Sequence, residues 1–182
     1  MLMLSEQSSF TEIIFKTRNC TIYIITLSEQ IAHLSFSADR HLLAVKKIQS
    51  IHGNKIIRKK PGTNNPVCNE LQEYLAGRRH NFDLTPHPFF FNSASPLRQR
   101  IWQQIAAIPY GKTTTYGDIG RKLGNPALAR AVGQAARANP IAMIIPCHRV
   151  TGANNMGGYA GGTAIKKHLL HLEWENRKEI TE

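Results

Sequence analysis

Residues 139–150 read NPIAMIIPCHRV, and this stretch decides how the second half of the chain is interpreted. Five apolar residues in a row, Ile141 to Ile145, predict a short buried segment, and Pro146 adds a rigid turn after it. A glycine-rich loop, Gly152 to Gly162, follows. Cys147 therefore lies between a buried segment and a loop, a position typical of a shaped pocket.

Cys147 is followed directly by His148, and this pair indicates nucleophilic chemistry. A thiol becomes a good nucleophile when it is held as a thiolate, which a neighbouring imidazole or a proton relay can achieve. Because neighbours in sequence often point apart, a buried structural cysteine is the alternative interpretation. The turn and the glycine-rich loop around the pair favour a reactive cysteine.

Two short helices are predicted upstream, with the lengths and the turn of a helix-turn-helix. Tyr116 to Leu123 forms the first, with Thr115 as its cap, and Pro126 to Ala138 forms the second. The turn between them contains Gly124. In a helix-turn-helix the second helix usually lies against DNA.

The second of these helices, PALARAVGQAARA, is mostly alanine and glycine, and Arg130 and Arg137 are its only charged residues. Small side chains let a backbone approach another surface closely, such as a narrow minor groove. Burial against the protein itself favours the same composition. The preceding helix and the basic character of the chain favour DNA.

Helical periodicity predicts three further helices, each with apolar residues repeated on one packing face. They are Val67 to Ala76 after Pro66, Leu97 to Ala107 with Leu97, Ile101, Trp102 and Ile105 on its packing face, and Ala164 to Glu173 with Ile165, Leu169, Leu170 and Leu172 on its packing face.

The first part of the chain predicts a β-hairpin. β-branched and aromatic residues dominate Thr21 to Leu27 and Ile31 to Phe36, and Ser28 to Gln30 separates the two runs. Ile48 to Lys60 is basic and interrupted by a Gly-Asn pair, so mixed elements are expected there. Between Asn81 and Pro96, prolines and a Ser/Asn cluster break any periodicity, which predicts a domain boundary.

Composition narrows the class of protein. The chain has 182 residues, with 23 Lys and Arg against 12 Asp and Glu, a net charge of +11 that favours a polyanionic partner. No apolar run approaches the length of a membrane span, and MLMLSEQSSF lacks the features of a secretory signal, so a cytoplasmic location is expected. Cys20, Cys68 and Cys147 are odd in number and far apart, which excludes a dense disulfide framework.

The chain resembles the O6-alkylguanine-DNA alkyltransferase family, also called methylated-DNA–protein-cysteine methyltransferases. The resemblance covers Trp102 to Glu173 and is carried by three runs, PYGKTTTYGDIGRKLGNPALARAVG, NPIAMIIPCHRV and GGYAGGTAIKKHLLHLE. PCHRV within this frame is highly specific, whereas a helix-turn-helix alone is not. The resemblance implies DNA repair in which a flipped O6-alkylguanine gives its alkyl group irreversibly to a cysteine, with O4-alkylthymine left open as a second substrate.

The resemblance also implies a role for each catalytic residue. Cys147 would be the alkyl acceptor, His148 the base acting through a water, and Glu173 the carboxylate that polarises that histidine. Tyr116 would donate a hydrogen bond or a proton to the guanine that leaves. Asn139 would brace the turn between the recognition helix and the active site.

DNA contacts follow from the same resemblance. Arg130 would fill the gap left by the flipped base, and Ala129, Ala131 and Gly133 would permit approach to the minor groove. Tyr116 and Arg137 complete the expected DNA-binding set.

The pocket for the base is expected to use backbone carbonyls at Cys147 and Val150 for the guanine amino group. Tyr159 and the backbone of Ala160 would line the O6 side. Some members have serine where this chain has Ala160, so a hydroxyl contact is lost here and the preference for alkyl size is open.

The expected fold is α+β. A small α/β roll of the ribonuclease H-like kind would occupy residues 1–90, and a mainly helical DNA-binding and alkyl-transfer domain would occupy residues 91–182. The expected partner is double-stranded DNA carrying O6-alkylguanine, bound by a monomer, with cooperativity on DNA left open. No cofactor is expected, and no zinc either, because Cys20 and Cys68 with the histidines of this half do not form the paired pattern of a zinc site.

Three rival functions remain at this stage. A non-reactive sensor of alkylguanine would lack the cysteine of the motif, and Cys147 is present. A helix-turn-helix regulator would carry base-reading polar side chains on the second helix rather than alanines. A hydrolase with a Cys/His pair would turn over many times.

Overall fold

A four-stranded sheet and six α-helices make up most of the computed structural model, which describes residues 10–27, 30–52, 56–59 and 65–177. The expected mixture of strands and helices is confirmed. The elements are β1 (Phe10–Lys16), β2 (Thr21–Leu27), β3 (Gln30–Ser35), α1 (Ala38–His52), β4 (Ile56–Lys59), α2 (Pro66–Leu75), α3 (Pro96–Ala106), β5 (Thr114–Thr115), α4 (Tyr116–Lys122), α5 (Ala129–Arg137), β6 (Val150–Thr151) and α6 (Thr163–Glu175), with 3₁₀ turns at Pro126–Leu128 and Cys147–Arg149.

The sheet has the strand order β3-β2-β1-β4. β2 pairs antiparallel with both β1 and β3, which confirms the predicted hairpin, and β4 pairs parallel with β1. The register shifts between Ile25 and Thr26, because their partners His33 and Ile31 are two residues apart and leave Ala32 of β3 as the extra residue. The predicted turn residues Ser28 and Glu29 lie outside the described residues, as does the Gly53-Asn54 pair.

Both faces of the sheet are buried, so its side chains divide between two cores. Alternate residues such as Ile24 and Ile31 join the larger core, with α2, α3, α5 and α6. The intervening residues, among them Ile25 and Ala32, pack with Ile48 of α1 in the smaller core.

The outer edge of β3 forms hydrogen bonds with two segments that are distant in the sequence. Ile31 donates to the Thr85 carbonyl at 2.9 Å and accepts from His87 at 2.8 Å. Further along, the Leu34 amide donates to the Pro140 carbonyl, and the Leu34 carbonyl accepts from Ala142, both at 2.9 Å. The sheet edge is thereby protected, and the segment that leads to Cys147 is fixed against it.

α1 was not predicted from the sequence. Its buried face begins with a histidine, since His41, Ala44 and Ile48 face the protein, whereas Leu42 and Leu43 are 52% and 66% exposed. The large apolar residues therefore do not mark the packed stripe of this helix.

All helices that the sequence predicted are confirmed, and their ends agree to within three residues. Thr115 and Asp118 form a capping box at the start of α4, in which each side chain accepts from the other residue's amide. The second predicted helix begins as the 3₁₀ turn and continues as α5. One prediction was wrong: Leu97 is 36% exposed, because the packing face of α3 consists of Ile101, Trp102 and Ile105.

The segment predicted as a domain boundary has neither a helix nor a sheet strand between Ala76 and Ser95. The division into two domains at residue 90 stays a prediction. In the part of the chain that the structure describes, no helix is long and apolar enough to cross a membrane.

Candidate active site

Cys147 begins a 3₁₀ turn that follows Pro146. This tight turn directs three consecutive side chains inward, and Cys147, His148 and Arg149 are only 5%, 0% and 6% exposed. The Cys147 side chain meets a cleft of about 530 Å³ formed by α1, α4, α5 and the glycine-rich loop. Residues that line it include Arg40, Tyr116, Gly133, Arg137, Tyr159 and Ala160.

Asn139 fixes the sulfur in this cleft. Its Nδ2 donates to the Cys147 Sγ at 3.1 Å and to the Ile145 carbonyl at 2.7 Å, and its Oδ1 accepts from the Ile141 amide at 3.1 Å. One buried amide therefore closes the turn and holds the thiol. The role of Asn139 in the reaction stays a prediction.

Arg40 of α1 holds the same region from the other side. Its guanidinium donates to the carbonyl of Arg137, at the end of α5, and to that of Asn139 at 3.2 Å. A cation at a helix carboxyl end also complements the helix dipole. Sequence reasoning missed Arg40 because the helix that carries it was not predicted.

His148 is oriented by a carboxylate. Its Nε2 lies 2.7 Å from the Glu173 Oε1, and both side chains are at most 1% exposed. An ionised carboxylate only accepts, so Nε2 carries the proton and Nδ1 presents a lone pair. Nδ1 is buried and has no hydrogen-bond partner among the described residues.

Glu173 receives donors from four residues in three separate segments. Besides His148, Arg149 donates through Nε and Nη2 at 2.9 to 3.0 Å, and the Gly111 amide donates at 3.0 Å. The Tyr74 hydroxyl donates to Oε1 as well. The carboxylate is thus buried but fully compensated, as a buried charge must be.

Burial and charge set the protonation states of the relay. Burial raises the pKa of Cys147, and the Asn139 hydrogen bond and the Lys166 and Arg40 charges lower it only in part. Burial lowers the pKa of His148 despite the opposing effect of Glu173. Burial alone would raise the pKa of Glu173, but His148 and Arg149 bring it down to about 2. At neutral pH the resting site therefore holds a thiol, a neutral imidazole and a carboxylate.

Lys166 ties the glycine-rich loop to the active-site turn. The side chain is fully buried on α6, and its Nζ donates at 2.6 Å to the carbonyls of Val150 and Met156 and at 3.3 Å to that of Gly158. Burial lowers the pKa of Lys166 to about 8, against the opposing effect of Cys147. Three carbonyls make a site for a cation. Sequence reasoning missed Lys166 because a lysine is expected at the protein surface.

Tyr116 begins α4 and reaches the cleft beside the glycine-rich loop. A Cβ at Gly157 would come within 2.5 Å of the Tyr116 hydroxyl, and Gly157 has a φ of +68°. Only glycine fits there without strain. Burial and Cys147 raise the pKa of the Tyr116 phenol, so it stays a neutral donor.

Tyr159 and Ala160 line the cleft as predicted for the pocket, whereas Val150 does not. Burial raises the pKa of Tyr159 well above its usual value, and its hydroxyl has no partner in the described part of the chain. The Val150 side chain is fully buried, and its carbonyl already accepts from Lys166. A role for that carbonyl in base binding stays a prediction.

α5 has a packed face and an open face. Val132, Ala135 and Ala136 are buried, and the Trp102 Nε1 donates to the Ala135 carbonyl at 2.8 Å. On the open side Arg130 and Arg137 are exposed, and the smaller residues Ala129, Ala131 and Gly133 are half-buried. The interpretation of burial against the protein therefore holds for one face, and approach of the open face to DNA stays a prediction.

The residues considered for zinc have other neighbours. His33 packs against His41 and Phe90, and His80 stacks on Tyr110. Within the described residues, no three histidine, cysteine or acidic side chains come together as a metal site would require.

Known sequences resemble this chain through the part that carries the site. Residues 96–175 match the family described as 6-O-methylguanine DNA methyltransferase, DNA binding domain. A methylated-DNA–protein-cysteine methyltransferase of Methanosarcina acetivorans is 46% identical over 105 residues, which are 57% of this chain and 65% of that protein. A probable methylated-DNA–protein-cysteine methyltransferase of Acanthamoeba polyphaga mimivirus is 51% identical over 117 residues, 61% of this chain and 74% of that protein. The matched part thus spans just under two thirds of the first relative and about three quarters of the second.

Solved structures extend the likeness to nearly the whole chain. Mycobacterium tuberculosis O6-methylguanine methyltransferase matches with a TM-score of 0.77 at 29% identity, over 93% of this chain and 95% of that one. The structure of Mycobacterium tuberculosis OGT in complex with DNA matches with a TM-score of 0.75 at 29% identity, over 91% and 94%. Together with the cysteine, histidine and glutamate geometry, these matches show that the chain belongs to the methylated-DNA–protein-cysteine methyltransferases, a family of DNA repair proteins.

Proposed function

We propose that Cys147 accepts the alkyl group of O6-alkylguanine in duplex DNA, once per protein molecule and irreversibly. One observation carries the proposal: the Cys147 sulfur meets the cleft, held by Asn139, and the next residue is a histidine paired with Glu173. These three residues would serve as nucleophile, base and the carboxylate that orients the base, an arrangement found with other activated nucleophiles.

The transfer begins with removal of the thiol proton. The neutral His148 accepts it at Nδ1 through a water, and Glu173 stabilises the imidazolium that forms. The sulfur then attacks the alkyl carbon, so that an S–C bond forms and the C–O6 bond breaks. The electron pair stays on guanine, which the Tyr116 hydroxyl protonates, and the proton lost by Cys147 replaces the one that tyrosine gives. No co-reactant is consumed.

DNA binding is assigned to α4 and α5, acting as a helix-turn-helix. Cys147 is only 5% exposed, so the damaged base must leave the stack to reach its sulfur. We assign Arg130 to the gap that the base leaves, because it is exposed and lies on the same helix as Gly133 of the cleft. Ala129 and Ala131 permit close approach, and Arg137 at the cleft faces the DNA backbone.

Recognition of the base is assigned to the cleft walls. The Cys147 and Val150 carbonyls would accept from the guanine amino group, and Tyr159 and the Ala160 amide would lie on the O6 side. Ala160 contributes no hydroxyl, so only its backbone can donate. O4-alkylthymine is the second substrate to assay, since a pyrimidine is smaller than the guanine that the cleft would hold.

For this function we assign two domains to the chain and a monomeric state to the protein. Residues 1–90 would form the ribonuclease H-like roll and residues 91–182 the domain that binds DNA and accepts the alkyl group. A monomer would carry the complete site, because the relay and the cleft described above use one chain.

Intact-mass spectrometry tests the proposal, with a duplex oligonucleotide containing one O6-methylguanine and Cys147→Ser in parallel. A gain of one methyl group, localised to Cys147, saturating at one per protein and absent in the variant, is expected. An unchanged mass with tight binding to the lesion would leave a sensor. Repeated cleavage of fluorogenic esters would instead favour a hydrolase.

A further inference from the structure

We propose that Tyr74 is a positioning residue for alkyl transfer, which acts on His148 through the oxygen of Glu173 that both side chains contact. This inference rests on the proposed function. Its basis is that the Tyr74 hydroxyl donates to the Glu173 Oε1, the same atom that lies 2.7 Å from the His148 Nε2. The hydroxyl is also 3.4 Å from that nitrogen.

Tyr74 comes from α2, in the half of the chain where sequence similarity to the family is weak. The residue is fully buried, so its hydroxyl cannot exchange this contact for water. An element far from the PCHRV motif therefore supplies a donor at the junction between imidazole and carboxylate. The DNA-binding part does not complete the relay by itself.

Packing does not require the hydroxyl. The Tyr74 ring stacks on Phe82 with centroids 5.0 Å apart and meets Tyr110 edge-on at 5.8 Å. A phenylalanine would keep both contacts. Nor is the hydroxyl needed to compensate the charge of Glu173, since Arg149 and the Gly111 amide already donate to it.

A donor on Oε1 weakens that oxygen as an acceptor for His148. Each hydrogen bond to a carboxylate disperses its charge, so Tyr74 limits how strongly Glu173 stabilises the imidazolium. Without the hydroxyl the imidazolium is favoured and the neutral base persists only at higher pH. The other titratable and charged groups around the pair stay in place when Tyr74 changes; they are Cys147 and Arg149 from the 3₁₀ turn, Lys166 from α6, and Tyr110 and Tyr159 from loops.

The test is the pH profile of the single-turnover transfer rate for the full chain with duplex O6-methylguanine DNA. Tyr74→Phe should move the acid limb to higher pH by roughly 0.5 to 1 unit, and the rate below that limb should fall about three- to tenfold. Tyr110→Phe is the matched control. It removes a buried hydroxyl from the same neighbourhood that has no hydrogen-bond partner among the described residues, so the limb should not move.

A second variant guards against loss of folding. 3-Fluorotyrosine at position 74 keeps the ring and makes the hydroxyl a stronger donor, so the acid limb should move to lower pH. Opposite shifts in the two variants establish the inference. Unchanged midpoints, or a rate lowered equally at every pH, overturn it and leave Tyr74 a structural residue. A wild-type protein that transfers no methyl group would overturn the proposed function instead.

Discussion

The described residues include two buried histidine–carboxylate pairs, with the same separation and very different surroundings. In the active-site pair, His148 and Glu173 are 2.7 Å apart on the 3₁₀ turn and α6. In the sheet pair, His41 of α1 and Glu12 of β1 are also 2.7 Å apart. Side chains of both pairs are at most 7% exposed.

The comparison shows that a histidine–carboxylate pair alone is not a site. The sheet pair lies under the rings of Tyr23 and His33, inside the contact between α1 and the sheet. The active-site pair follows a cysteine that opens onto a cleft. The active-site pair differs from the sheet pair because it lies next to a nucleophile and a space for substrate. General acid–base catalysis needs a proton to transfer within reach of the histidine.

Removing the carboxylate from each pair gives the largest expected contrast. Glu173→Gln should lower the transfer rate by about 10²- to 10⁴-fold, since His148 loses the charge that stabilises its protonated form. Glu12→Gln should leave the rate unchanged. Both variants should lose about 3–5 kcal/mol of stability, because each breaks a buried pair.

Rates are best compared well below the unfolding midpoint of each variant, so that stability does not enter. Single-turnover transfer followed by intact mass gives the rate, and thermal unfolding gives the stability. Equal rate losses in Glu12→Gln and Glu173→Gln would mean that transfer responds only to destabilisation, and the distinction between the pairs would collapse.

Acid sensitivity sharpens the description of the active-site pair. Burial raises the pKa of Glu173, but His148 and Arg149 outweigh it and bring the value from 4.5 to about 2. Below pH 4.5 the unfolded chain takes up a proton that the folded chain refuses. The stability that this group contributes is therefore complete above pH 4.5 and is lost as pH falls toward 2. Urea unfolding at pH 3 and pH 6 should show a smaller pH dependence for Glu173→Gln than for wild type; equal dependences would contradict the shift.

Methylation of Cys147 should affect stability as well. The residue is buried and its sulfur accepts from Asn139, so an added methyl group introduces bulk beside α5 and disturbs this contact, at a cost of about 1–3 kcal/mol. The thermal midpoint should fall after incubation with methylated DNA. Cys147→Ser, treated in the same way, should not change. An equal or higher midpoint for the methylated protein would refute the expectation.

The exposed side of α5 should behave unlike either buried pair. Arg130→Ala should weaken duplex binding about tenfold, because the side chain assigned to the gap left by the flipped base is lost together with its positive charge. Stability should change by less than about 0.5 kcal/mol, since the side chain is exposed. Arg100→Ala on α3 removes another exposed arginine and serves as the control. Equal losses of affinity would mean that net charge, not position, governs binding.

Sequence patterns predicted the elements whose apolar residues mark the buried face. The hairpin and α2, α3, α4, α5 and α6 are of this kind. α1 is not, because His41 takes the place of an apolar residue on its inner face while Leu42 and Leu43 point outward. α6 shows the same effect in part, since Lys166 and Glu173 share its buried face with Leu169.

The site could be predicted only where residues belong to one specific motif. Cys147 and His148 are adjacent in PCHRV, and the family pattern reaches Glu173. Arg149 stands in the same motif, but its contact with Glu173 depends on a turn that directs three neighbours inward. Tyr74 belongs to a distant helix, and no spacing in the sequence brings it to Glu173.

The contact between Tyr74 and Glu173 spans the irregular segment at residues 81–95. A chain severed within that segment would leave the phenol on one fragment and the carboxylate on the other. Restored transfer on mixing would report that the fragments had joined, and a wild-type pH profile would report that this single hydrogen bond had formed again. The protein could in this way serve as a split reporter that records each assembly event permanently, as a methylated cysteine.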